Sequence, residues 1–112
     1  MIQADTIAAI ATPPGTGGIG IVRASGPDAE RIGRTLFRPR NTPEAFRSHR
    51  LYHGDILCPS TGRILDEVLV AFLRAPHSFS GEDTLEIHCH GGSVILEEVR
   101  QAVLRAGAGR AG

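Results

Sequence analysis

The chain has 112 residues, with twelve basic and twelve acidic side chains and no formal net charge. At this length a single domain with its own core is the default, and a composition of 41% hydrophobic and 21% charged residues excludes a disordered chain. The charge balance argues against a nucleic-acid-binding module, which carries a basic excess. No apolar run approaches the ~20 residues of a membrane span and no signal peptide opens the chain, so the expectation is a soluble, cytoplasmic protein.

Thr6 to Ala11 is a short apolar run with β-branched residues, closed by Thr12, Pro13, Pro14 and Gly15, and reads as a buried strand ended by a turn. Ile19 to Arg23 reads as a second strand, joined to the first by a glycine-rich link short enough for a hairpin. A helix follows: Ser25 or Gly26 can cap it, Pro27 suits the first helical position, and Ala29, Ile32, Leu36 and Phe37 form its apolar face before Pro39 stops it. Arg38 to Arg50, with two prolines, reads as a surface connection. Leu51 to Cys58 and Leu65 to Leu73 read as strands flanking a Pro59–Gly62 turn, the second with Val68, Val70 and Phe72 on one face.

The strongest strand pattern is Thr84 to His90. Leu85, Ile87 and Cys89 point one way; Glu86, His88 and His90 point the other. Gly91 and Gly92 break it, and Ser93 is the expected cap of a helix whose core stripe is Ile95, Val99, Ala102, Val103 and Ala106. The sum is an α+β domain over 1–107, with two helices on a mainly antiparallel sheet of about five strands, and a frayed tail over 108–112.

Few residues point to chemistry by themselves. The stretch Gly15 to Gly20 has neither the following helix of a dinucleotide fingerprint nor the lysine of a phosphate-binding loop, so a turn or a site-lining loop is the better reading. On one strand face Glu86, His88 and His90 stand ~6.6–6.8 Å apart in succession, too wide for neighbours to share a metal at ~2 Å bonds. A solvated polar face or the floor of a polar ligand site remains. Asp66-Glu67 and Glu82-Asp83 read as turn and strand-entry charges, and His53 and His77 as surface or packing residues. Cys58 and Cys89, with no spaced partners, read as core-filling thiols. No catalytic constellation emerges.

Two segments in register alter this picture: Asp5 to Gly26, which contains TPPGTGGIGIVRASG, and Ser78 to Glu86 followed by His90-Gly91-Gly92. Together they resemble the amino-terminal domain of the tRNA modification GTPase family called MnmE or TrmE, over nearly the whole chain from Asp5 to about Gly107. The resemblance implies a fold like the folate-binding domain of aminomethyltransferases. It implies a homodimer that binds a 5-formyl-tetrahydrofolate-type one-carbon donor, with Arg23 and Glu86 as the cofactor contacts. It further implies action on tRNA wobble uridine together with a flavin-dependent partner, MnmG or GidA. GTP, potassium and magnesium would belong to a GTPase domain outside this chain, which is expected to be a truncated module without catalysis of its own. The chemistry suits the residues: a carboxylate accepts the adjacent N–H donors of a pterin, and a guanidinium offers a planar fork to a carbonyl or carboxylate. A ligand-free structural dimerisation fragment is the alternative.

Overall fold

A computed structural model describes residues 6–11, 20–41, 43, 45–76 and 81–110. Seven strands form one sheet: β1 (Ile7–Ile10), β2 (Gly20–Ser25), β3 (Phe37–Pro39), β4 (Leu51–Leu57), β5 (Ile64–Leu73), β6 (Thr84–Cys89) and β7 (Gly109–Arg110). Two helices, α1 (Ala29–Leu36) and α2 (Gly92–Arg105), complete the α+β fold. The sheet order is β3-β4-β5-β6-β2-β1-β7, and every pairing is antiparallel except β1 with β7.

The alternation read from the sequence sets the two faces. Register aligns Val22, Ile87 and Val70 across three strands, and Ala24, Leu85 and Phe72 beside them. All six are at most 1% exposed. Both helices press on this face, through Ala29, Ile32 and Leu36 of α1 and Val99, Ala102 and Val103 of α2. Gly33 lets α1 approach closely, since a Cβ there would stand 2.6 Å from the Phe72 ring and 2.8 Å from Leu85. Phe46 closes one end of the core against Phe37, Tyr52 and Phe72.

Two short edge strands raise the sheet from the expected five strands to seven. Phe37, assigned from sequence to the helix, instead opens β3 and pairs with Ile56, so α1 ends at Leu36. Three residues are too few to show a two-residue period, and Pro39 is tolerated because the strand is an edge. In the tail, Gly109 and Arg110 pair with Ile7 and Ala8. Helix starts differ as well. Asp28 precedes α1, and its backbone N–H donates to the buried Thr6 hydroxyl at 2.7 Å, while Ser25 remains in β2. Ser93 lies inside α2, whose flanking residue is Gly91. Gly92 takes φ +85°, a left-handed conformation that favours glycine at this strand-to-helix corner.

Candidate functional site

Neither helix covers the second face of the sheet. Its centre is where β2 and β6 meet, and there Arg23 and Glu86 are direct cross-strand partners. Side chains opposite each other in an antiparallel pair stand within reach of one another. Arg23 donates from Nε at 2.9 Å and from Nη2 at 2.7 Å, both to Glu86 Oε2. Two residues along the same strand face, His88 Nε2 stands 3.2 Å from Glu86 Oε1. An ionised carboxylate only accepts, so His88 carries its hydrogen on Nε2. The three side chains are 27%, 16% and 20% exposed, shielded by the sheet yet open on one side.

Burial alone would push the Glu86 carboxyl up. The Arg23 hydrogen bonds, supported by His88 and by the guanidinium charge, outweigh that and hold it below its ordinary value of 4.5. Glu86 is thus an anion clamped from two sides. The arrangement places an acceptor carboxylate beside a planar donor fork.

The structure therefore brings Arg23, Glu86 and His88 together and sends His90 elsewhere. His90 lies past the end of β6, where its backbone N–H donates to Asp66 Oδ2 at 2.7 Å and its Nδ1 stands 3.1 Å from the Glu67 carbonyl. The glycine-rich stretch 12–19, His77 and the Ser78–Ser80 part of the second motif lie outside the described residues. Of that motif Asp83 is structural: its Oδ1 accepts the Ala75 N–H and its carbonyl accepts the Gly26 N–H.

Sequence reasoning missed two features. Asp66 also accepts the Gly91 N–H, at 3.2 Å, so one carboxylate oxygen satisfies two backbone donors at the start of α2, which has no side-chain cap of its own. The available signal was the Gly-Gly helix start, which demands an acceptor from elsewhere. Cys58 is not a core thiol. It lies half-buried in the turn after β4, 3.3 Å from Ser60 Oγ, and the hydroxyls of Ser60 and Thr61 with their backbone N–H groups bring its pKa down to about 6. Cys89 is buried as expected, and burial pushes its thiol up to about 12. Among the described residues, no group of three or more His, Cys, Asp or Glu could hold a metal ion, and no helix is long and apolar enough to cross a membrane.

An antiparallel sheet with both helices on one face and an Arg–Glu pair in the middle of the other is the frame on which the two sequence motifs sit. The family model described as GTP-binding protein TrmE N-terminus matches residues 6–112, and the chain belongs to that family. It is 59% identical over 104 residues to the tRNA modification GTPase MnmE of Syntrophus aciditrophicus, covering 93% of this chain and 23% of that protein. Similar proteins of the same name come from Heliobacterium modesticaldum, at 55% over 106 residues (93% and 23%), and Natranaerobius thermophilus, at 48% over 103 residues (92% and 22%). The chain thus spans less than a quarter of the length of these relatives.

Proposed function

We propose that this chain is the folate-binding and dimerisation module of a tRNA wobble-uridine modification GTPase, with Arg23 and Glu86 holding a 5-formyl-tetrahydrofolate-type one-carbon donor. The observation that carries the reading is the Arg23–Glu86 pair on the sheet face that neither helix covers, in a chain with this family membership. The donor and acceptor set fits such a ligand. Glu86 already accepts from Arg23 and His88, so binding is an exchange: adjacent ligand N–H donors take over the carboxylate, and the released Arg23 fork turns to a ligand carbonyl or carboxylate. When bound, the folate supplies the one-carbon unit; this chain's residues supply orientation. In the whole cytoplasmic protein the module pairs with a second copy and places the donor near the flavin-dependent partner MnmG, on tRNA held by the complete complex. GTP, potassium and magnesium act in the GTPase domain.

One observation favours the alternative of a ligand-free dimerisation fragment: Glu86 is satisfied within the chain, while Ile7 and Leu51, exposed by 46% and 56%, lie on the same face. Calorimetric titration of the chain with 5-formyl-tetrahydrofolate separates the two. Saturable binding that Arg23→Ala removes supports the folate site. No heat of binding from a chain shown to be folded, together with a dimer in sedimentation, supports the fragment.

A further inference from the structure

Among the described residues, a cavity lies away from the Arg23 side chain. It has a volume of about 530 Å³ and is lined, among the described residues, by His53, Asp66, Glu67, Leu69, His90 and Gly91. That size is in the range of small-molecule sites. It lies where β4, β5 and the end of β6 run side by side.

The hydrogen bonds of its lining fix what it offers. His90 Nδ1 faces the Glu67 carbonyl, which only accepts, so Nδ1 carries the hydrogen and Nε2 keeps its lone pair. His53 Nε2 faces Glu67 Oε2, which also only accepts, so His53 Nδ1 keeps its lone pair. Asp66 spends Oδ2 on the N–H groups of His90 and Gly91, leaving Oδ1. Glu67 Oε1 stands 3.6 Å from Arg40, whose fork is committed to Asp55 at 2.8 and 3.1 Å. With both imidazoles neutral, the side chains that line the cavity keep acceptor positions and no further donor. The formal charges of Arg40, Asp55, Asp66 and Glu67 leave a negative excess. Leu69 supplies an apolar floor.

From this inventory we infer that the cavity binds a small organic cation rich in N–H donors, of the polyamine or alkylguanidine class. An anion meets the two carboxylates of Asp66 and Glu67, which repel it. A metal ion lacks a third ligand among the described residues. Both imidazoles are oriented by Glu67, one through its backbone and one through its side chain, so this residue sets the acceptor pattern.

The test is an NMR titration of the full chain with spermidine at constant ionic strength, read on the imidazole carbon-bound protons of His53 and His90, with tetramethylammonium as a cation lacking N–H donors. The expected result is a saturable shift of both rings with spermidine and none with tetramethylammonium. Glu67→Gln removes a charged acceptor and should weaken binding about tenfold. Should Glu67→Gln fail to fold, His53→Ala gives the same reading, with a loss of about fivefold expected for one neutral acceptor. Absence of a saturable shift, equal shifts with tetramethylammonium, or undiminished binding by the folded variant overturns the inference.

Discussion

Replacing Glu86 by glutamine tests whether the anion at the centre of the open face is what holds Arg23. Glutamine keeps the shape and one carbonyl acceptor but removes the charge. Hydrogen bonds to a charged partner contribute about 1.5–3 kcal/mol against about 0.5–1.5 kcal/mol for neutral ones. Arg23 makes both of its bonds to one Glu86 oxygen, and the two side chains are 27% and 16% exposed, between a surface pair and a buried one. Glu86→Gln should therefore lose about 1–2 kcal/mol of stability near pH 7 in urea denaturation, with an unchanged m-value. The pH dependence follows from the depressed folded-state pKa. Between the ordinary value of 4.5 and neutral pH the ion-pair contribution is fully present; as pH falls through the lower folded-state value it is lost. The stability gap between the native chain and the variant should therefore close in acid. A constant gap from pH 7 to pH 3, or none at pH 7, would show that Arg23 is held by something other than the Glu86 charge.

Three further perturbations probe the frame around the site. Ile87→Ala removes a fully buried side chain from the helix-covered face and should cost about 2–5 kcal/mol in urea melts; a loss below 1 kcal/mol means that the two faces of β6 are assigned the wrong way round. Gly33→Ala puts a methyl group 2.6 Å from the Phe72 ring and should destabilise by about 1–3 kcal/mol through overpacking, whereas an unchanged midpoint refutes the close approach of α1. Iodoacetamide at neutral pH should alkylate Cys58, a thiolate with a pKa of about 6, and spare Cys89 until the chain is unfolded in urea, as followed by peptide mass spectrometry.

What the sequence made legible was whatever repeats along one element. The two-residue alternation of Thr84–Cys89 gave both the core face and the polar face, and the 3.6-residue stripe of α2 gave Val99, Ala102 and Val103. The sequence could not show pairings that depend on which strands become neighbours. Arg23 and Glu86 are 63 residues apart, and only the β2–β6 register sets them opposite each other; it was the family resemblance that named them together. Asp66 reads locally as a strand-entry charge and becomes the acceptor for α2 only because β5 begins beside the Gly91 corner. Cys58 was misjudged because its composition prior is burial, whereas the Cys58–Arg63 turn holds it among hydroxyls.

The placement of chemistry on this domain follows from a simple asymmetry. A sheet whose helices all lie on one side must leave the other side to water, to a ligand or to another protein. On such a face a polar residue in a central strand can be shielded on its flanks while it stays accessible from above. Arg23, Glu86 and His88 have this combination, with exposures of 16–27%. Partial shielding strengthens the Arg23–Glu86 attraction beyond that of a surface pair, and accessibility from above lets a ligand compete for it. The same pair that stabilises the free domain is thus the cost that a ligand must overcome. A ligand that offers both a donor edge to Glu86 and an acceptor to Arg23 replaces what it disrupts, whereas one that offers a single function leaves a charge unpaired. On the proposed folate reading, selection for a two-ended ligand follows from the resting state of the sheet.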